Sequence, residues 1–344
     1  MPRLRTLLSL MILVITVVFA APSPAASANG VDAALAWLRG QQQTDGGFSN
    51  GFAAGSDIGA TSDAVIAIAS FGESPNGWRS GGRSPLEFLQ QHASEVTSPG
   101  QAAKLALAAV AADEDPRDFG GVDLIAVANA AFDETAPASA YDRALAILAL
   151  HAGDAPVPPQ AVSALIEARL PDGSYAFDAS LIPGSGDSNT TALVVQALLS
   201  AGRGEETLPS YAYFRGTQND DGGWTYQKPS SFGEATDANS TALVVQALLA
   251  GGQDLAEWED PLRALLGLQQ PSGALAFNAE TPGDNLLATV QAIPALAGID
   301  LTDVSRLVHE SGAPNAAAVF AGAAIVLISV LLVAGILSRA ERSR

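Results

Sequence analysis

The chain has 344 residues, of which 48% are hydrophobic and 15% charged, and its formal net charge is −19. Such an acidic balance argues against a nucleic-acid partner, because contacts to phosphates need a basic surface. Cys is absent and His occurs only three times. Disulfides and thiolate metal sites are therefore excluded, and we predict neither a metal site nor a cofactor.

The first 28 residues have the layout of a secretory signal peptide. Arg3 and Arg5 precede an apolar run over residues 7–20, and the small residues Ala26-Ser27-Ala28 form a cleavage site. A retained N-terminal anchor is the alternative interpretation. We predict that the chain is exported.

Residues 29–310 show an apolar periodicity that predicts twelve helices in six consecutive pairs. The first helix of each pair has a mixed face, whereas the second is apolar or small nearly all round. The predicted pairs are 31–42 with 59–71, 85–92 with 101–112, 122–132 with 139–152, 159–169 with 189–201, 208–217 with 239–251, and 261–269 with 285–297. Exposed and buried helices that alternate in this way predict an all-α fold, the α/α-toroid, with two concentric helix rings. An open solenoid of the same hairpins is the alternative.

The C-terminal part of the chain predicts a membrane anchor. Residues 316–337 carry no charge, and at about 1.5 Å per residue they are long enough to cross a hydrocarbon core of roughly 30 Å. A short linker, 311–315, precedes this run, and a basic tail, 338–344, follows it. Basic residues favour the cytoplasmic side, so the repeat domain is predicted to lie outside the cell. A buried core helix is the alternative.

The helix pairs are connected by recurring Gly-rich turns, at 43–48, 170–175, 219–224 and 270–275. Gly at such a turn supplies the positive φ that ends a helix. The helical phrases that follow are nearly identical at 187–199 and 237–249, an offset of 50 residues. A period of this size indicates stacked supersecondary units.

The turn Gln218-Asn-Asp-Asp-Gly-Gly-Trp224 resembles the prenyltransferase/squalene-oxidase repeat of squalene-type terpene cyclases and protein prenyltransferase β subunits. The resemblance extends over residues 30–300 and implies the toroid fold. The prenyltransferases hold zinc with Asp, Cys and His, and this chain has no Cys. Their metal site therefore cannot be built here in the same way.

Squalene cyclases carry an Asp-x-Asp-Asp-Thr-Ala motif whose middle Asp protonates the substrate. In the two similar stretches of this chain, Asn189 and Asn239 stand at that position. An amide cannot donate such a proton. An enzyme of the cyclase or prenyltransferase class would therefore need a displaced acid, for which Asp187, Asp237 and Asp63 are the candidates. Asp187 and Asp237 are also expected to be helix N-caps.

Residues 288–298, Ala-Thr-Val-Gln-Ala-Ile-Pro-Ala-Leu-Ala-Gly, are similar to the last repeat of the cobalamin carriers intrinsic factor and transcobalamin. This resemblance implies extracellular binding of a corrinoid without chemistry. Those carriers have a second, β-rich domain that closes over the ligand. Here the repeats run almost directly into the predicted anchor, so a closing element either comes from a separate protein or is absent.

Polar side chains spaced by seven residues share a helix face, and three such pairs occur here. If Asn189 faces the cavity, as the resemblance to the cyclases implies, these pairs predict a ring of polar groups in an apolar cup. The candidate ligand-binding residues are Asn189, Gln196, Asn239, Gln246, Asp284 and Gln291, with Trp224 and Tyr226 as an aromatic rim. The alternatives are that the amides bond to one another and that the aromatics pack between repeats.

The predicted function is a membrane-anchored, extracytoplasmic toroid that binds a bulky, partly apolar small molecule without catalysis. The ligand would be corrinoid-like or isoprenoid. A cyclase-type enzyme with a displaced acid and a protein-interaction scaffold are the two alternatives.

Overall fold

The computed structural model describes residues 24–52, 54–133, 138–231 and 233–307. Most of the predicted signal peptide, together with the predicted linker, membrane span and tail, lies outside these ranges. Within them, no helix combines the length and the apolar character that crossing a bilayer requires.

Twelve α-helices in the described residues form six consecutive hairpins, as the periodicity predicts. The first helices of the hairpins, which form the outer layer, are α1 (Pro24–Arg39), α3 (Pro85–His92), α5 (Leu124–Asn129), α7 (Pro159–Glu167), α9 (Leu208–Thr217) and α11 (Pro261–Gly267). The second helices, which form the inner layer, are α2 (Ile58–Ser70), α4 (Pro99–Ala111), α6 (Ala140–Ala152), α8 (Ser188–Ser200), α10 (Ala238–Ala250) and α12 (Leu286–Leu296). α1 begins seven residues before the predicted start, and α5 begins at Leu124 because Asp123 caps it.

The inner helices close into a ring. Each packs against the next inner helix along the chain, and α12 packs against α2. Two hydrogen bonds join the first hairpin to the last across the closure: Gln269 Nε2 donates to the Gly30 carbonyl at 2.7 Å, and Trp37 Nε1 donates to Asp284 Oδ2 at 2.9 Å. The open solenoid is therefore ruled out.

Small and apolar residues allow the inner helices to be buried on all sides. In α10 every residue from Ala238 to Leu248 is buried, including Gln246. A helix surrounded by inner and outer neighbours has no solvent face, which explains why its sequence lacks an amphipathic stripe.

The recurring turn braces one repeat against the next. Gln218 Nε2 donates to the carbonyls of Gly222 and Trp258, both at 2.8 Å, and Gly222 has a φ of +94°. The Trp224 amide then donates to Thr241 Oγ1 at 3.0 Å. Equivalent amide-to-Thr bonds join Phe48 to Thr61, Tyr175 to Thr191, and Leu275 to Thr289. Thr191 and Thr241 stand at the Thr position of the cyclase motif. In this structure they accept the hydrogen bonds that tie the turn to the inner helix.

A 3₁₀ helix, Leu301–Arg306, follows α12 and turns back into the ring; we call it the plug. It packs against α4, α6, α8 and α10. Val304 is fully buried, and the Leu301 amide donates to Gln196 Oε1 at 2.9 Å. Because the plug enters from the C-terminal end of α12, it closes that end of the ring.

Candidate functional site

The loops that lead into the inner helices form the other end of the ring, which we call the mouth. Exposed large apolar side chains are concentrated there. These side chains, which we call the rim, are Phe52, Phe177, Leu181, Ile182, Tyr226, Phe277 and Leu287. Among the described residues, Leu208 on α9 is the one other exposed large hydrophobic residue. A cluster of exposed apolar groups at one place indicates a binding surface.

Three rim aromatics occupy the same repeat position, two residues after the large residue of the turn. The backbone carbonyl of each accepts a hydrogen bond from the first residue of the preceding inner helix, which satisfies an N–H that the helix itself leaves free. The pairs are Ala140 with Phe177 at 2.9 Å, Ser188 with Tyr226 at 2.8 Å, and Ala238 with Phe277 at 2.8 Å. The repeat therefore presents an aromatic side chain at the mouth three times.

Beneath the mouth, the inner helices enclose a lumen of about 50 Å³. Its polar lining consists of Asp63, Lys104, Tyr141, Gln246 and Gln291, and Leu301 of the plug also borders it. One water molecule needs about 10–15 Å³ by a comparable measure, so the lumen has room for roughly four. The lumen of this structure holds only a small group, and the exposed apolar surface available to a bulky ligand lies at the mouth.

Asp63 and Lys104 form an ion pair in the lumen, with the Lys104 Nζ 3.0 Å from the Asp63 carboxylate. Burial by itself would lower the pKa of Lys104, but the charge of Asp63 and its hydrogen bond to Lys104 help to raise the pKa above its ordinary value. Lys104 is therefore protonated at neutral pH. The pair adds no net charge to the lumen.

Asp187 is a buried carboxylate at the mouth, with 1% of its surface exposed. Its Oδ1 accepts from the Thr190 amide at 2.7 Å, which makes it the N-cap of α8. Burial raises the pKa of Asp187 to about 6, although the hydrogen bond from the Thr190 amide and the nearby Tyr226 phenol oppose the shift. Burial and the Asp187 charge raise the pKa of Tyr226 to about 12. An acid this weak is unsuited to protonating an alkene.

Asp237 repeats the same arrangement one hairpin later. Its Oδ1 accepts from the Ser240 amide at 2.7 Å, and its Oδ2 accepts from the Ser240 hydroxyl at 2.8 Å. Burial raises its pKa as well. Both candidate acids are therefore N-caps, and Asp63, the third, is held in its ion pair.

Three of the predicted amide residues, Asn239, Gln246 and Gln291, contact one another. Asn239 Nδ2 donates to Gln291 Oε1 at 2.7 Å, and Gln246 Nε2 donates to the Gln291 carbonyl at 3.4 Å. Gln196 donates to the carbonyl of Ala192 and accepts from the plug. Within the described residues, two buried amide oxygens have no hydrogen-bond partner: Asn189 Oδ1 and Gln246 Oε1.

Of the predicted ligand-binding residues, Gln246 and Gln291 line the lumen, whereas Asp284 and Trp224 make structural contacts elsewhere. Asp284 accepts hydrogen bonds from Trp37 and Ser272 at the ring closure. Its spacing of seven from Gln291 does not place it on the same helix face, because α12 begins only at Leu286. Trp224 is fully buried and donates its indole N–H to the Phe214 carbonyl at 2.8 Å, so it packs between repeats.

Sequence reasoning did not single out Lys104, Tyr141 or Phe177. A clue to Lys104 was available, since it is the one charged residue of α4. A charge within an otherwise uncharged helix suggests a buried partner. The exposure of Phe177 depends on the course of a loop, which periodicity does not describe.

No protein-family model and no curated protein sequence matches this chain. Solved structures do match its fold. The type II terpene cyclase MstE from Scytonema is 14% identical with a TM-score of 0.56, over 80% of this chain and 98% of that one. The chain is an α/α-toroid.

Two other toroids match about as well as the cyclase. A glycosidase is 14% identical with a TM-score of 0.55, over 83% of this chain and 98% of that one. Haptocorrin in complex with Cbi is 14% identical with a TM-score of 0.53, over 81% of this chain and 68% of that one. The three proteins differ in function, so the likeness shows the fold of this chain and not its activity.

Proposed function

We propose that this toroid binds a bulky, partly apolar small molecule at its mouth and does not transform it. The observation that carries the proposal is the rim, a set of exposed apolar side chains at the mouth, while the plug occupies the other end of the ring. Half-exposed aromatic rings such as Phe177 and Tyr226 provide flat apolar contact for a ligand. Polar groups lie directly below them, which suits a ligand with both kinds of surface.

The chemistry of the site supports binding without catalysis. Asn189 and Asn239 stand where a cyclase would keep its acid, and neither amide can protonate an alkene. The carboxylates nearest to them, Asp187 and Asp237, are both committed to capping helices. Neither of these two carboxylates is therefore free to act as the acid of a cyclase mechanism.

A corrinoid is the first ligand to test, and an isoprenoid is the second. Haptocorrin supports the corrinoid, because its structure is a complex with Cbi. The cyclase MstE supports the isoprenoid, because its structures include complexes with merosterolic acid A and geranylgeranyl dihydroxybenzoate. Part of the haptocorrin chain has no counterpart here. A separate protein would supply any element that closes over the ligand.

The proposed location is outside the cell, after removal of residues 1–28 and with anchoring by residues 316–337. The plug is the last described element before the predicted anchor. The plugged end of the ring would therefore face the membrane. The mouth would point away from it, where a ligand and a closing protein could approach.

Titration of the full-length protein in detergent with cobinamide and with geranylgeraniol tests the proposal. Tyr226→Ala and Phe177→Ala should each weaken binding about tenfold, because each removes on the order of 1–2 kcal/mol of apolar contact. Leu208→Ala, an exposed apolar residue of α9 away from the mouth, is the matched control and should bind like the parent. Parent protein that binds neither probe, or rim variants that bind like the control, would contradict the proposal.

One observation favours a second function, a protein-interaction scaffold. The lumen is nearly filled by side chains, as expected if the ring is a rigid support for its surface. The rim would then contact a protein directly. Failure of both small-molecule probes would favour this alternative.

A further inference from the structure

The amide group of Gln246 has a fixed orientation in the lumen. The residue lies on α10, is 3% exposed and borders the lumen. Its Nε2 donates to the Gln291 carbonyl, and only the nitrogen of an amide can do so. Oε1 is therefore the free end, and no group among the described residues donates to it. A buried acceptor left without a donor costs about 1–3 kcal/mol, so a ligand that supplies a donor gains from it.

The charges around the lumen favour an uncharged group. Lys104 and Asp63 neutralise each other at 3.0 Å. The phenol of Tyr141 is neutral, because burial raises its pKa. An anionic group that entered would approach the carboxylate of Asp63, and a cationic group would approach the ammonium of Lys104. Either would be a buried charge without a free partner, which is strongly disfavoured.

The size of the lumen limits what can enter. About 50 Å³ corresponds to roughly four water molecules, or to a chemical group with about as many non-hydrogen atoms. Leu301 of the plug and Pro294 of α12 border this space. Only a short end of a larger ligand fits.

We propose that the lumen is a subsite for one short, uncharged, hydrogen-bond-donating end of the ligand, a hydroxyl or a primary amide, which donates to Gln246 Oε1. The body of the ligand stays at the mouth against the rim. This inference rests on the proposed function and specifies the ligand further. It selects molecules with a neutral polar end and rejects the corresponding phosphates.

Three isoprenoid probes that differ only at one end test the subsite in the full-length protein: geranylgeraniol, its methyl ether, and geranylgeranyl diphosphate. Calorimetric titration should show the alcohol binding about tenfold more tightly than the ether, the value of roughly one hydrogen bond. The diphosphate should bind more weakly than the alcohol. This comparison uses the parent protein alone, so it does not depend on the folding of a variant.

Gln246→Met then identifies the acceptor. The variant keeps the length of the side chain but has no amide oxygen, so it should bind the alcohol and the ether equally. Cobinamide, whose periphery carries primary amides, should also bind the variant about tenfold more weakly. Gln160→Met, on the exposed face of α7, is the control and should keep the parent's preference. Thermal unfolding of each variant verifies that it is folded.

The outcomes separate this inference from the proposed function. Equal binding of alcohol and ether to the parent would overturn the subsite and leave ligand binding at the mouth intact. A preference for the alcohol that persists in Gln246→Met would also overturn it, because the acceptor would then be another group. Absence of binding by all isoprenoid probes and by cobinamide would overturn both proposals.

Discussion

Replacing Asp187 by Asn should stabilise the protein at neutral pH and have no effect near pH 4. The carboxylate is 1% exposed, and its burial raises the pKa from 3.8 to about 6. An acid whose pKa is higher in the folded state favours folding only while it is protonated. This stabilisation is complete below the unfolded pKa and is lost as pH rises through about 6.

The magnitude follows from the pKa shift. A shift from 3.8 to about 6, at 1.36 kcal/mol per unit, makes the ionised form of Asp187 cost the folded state on the order of 3 kcal/mol above pH 7. Asn carries no charge and is as good an N-cap as Asp, so the Thr190 amide keeps its acceptor. The variant should therefore exceed the parent in free energy of unfolding by up to about 3 kcal/mol at pH 8.

The assay is guanidinium unfolding of the full-length protein in detergent at a series of pH values from 4 to 8. The difference between variant and parent should increase from near zero at pH 4 to its full value by pH 7. Asp57→Asn is the matched control, because Asp57 caps α2 at the same repeat position through the Ala60 amide but is partly exposed. Parallel profiles for parent and Asp187→Asn across this range would refute the burial argument.

Two further predictions concern the turns and the plug, and both are measured as a change in unfolding midpoint. Gly222→Ala should cost more than about 2 kcal/mol, because Gly222 has a φ of +94° and an added Cβ would collide with the Glu259 carbonyl. Gly184→Ala, with a φ of +80° and open space around it, should cost only about 1 kcal/mol, and equal losses would contradict the steric explanation. Val304→Asp should cost more than about 3 kcal/mol, because it puts a charge where the plug is fully buried. Val304→Ala is its control and should cost less, and equal effects of the two would indicate that the plug is loosely held.

The double ring was predictable because its determinants repeat along the sequence. Six pairs of helices with alternating mixed and apolar character fix the layers. The nearly identical segments 187–199 and 237–249 indicate that the corresponding inner helices pack against their neighbours in the same way. The N-caps Asp187 and Asp237 were predictable for the same reason, since capping depends on neighbours only three residues away.

The plug and the lumen were not predictable, because they depend on contacts between distant parts of the chain. Short 3₁₀ helices also follow α2, α8 and α10, at 75–77, 204–207 and 255–257, but the one at 301–306 is longer and packs against four inner helices. Its position is fixed by the amide of Leu301 meeting Gln196, which lies 105 residues earlier in the chain. The same hydrogen bond occupies Gln196 Oε1, and Gln196 was predicted to face a ligand. The volume of the lumen follows from such contacts and not from the periodicity.

The chain itself suggests that the charge of Asp187 serves the mouth and not the fold. At the corresponding end of α12, Asn285 performs the same capping task through the Ala288 amide at 2.9 Å, without a buried charge. Asn is therefore compatible with this repeat position and avoids the desolvation cost. Asp187 nevertheless keeps its carboxylate beside the Tyr226 phenol, an aromatic of the rim. Functional sites commonly retain groups that reduce stability. A carboxylate close to a rim aromatic is consistent with the proposed binding surface at the mouth.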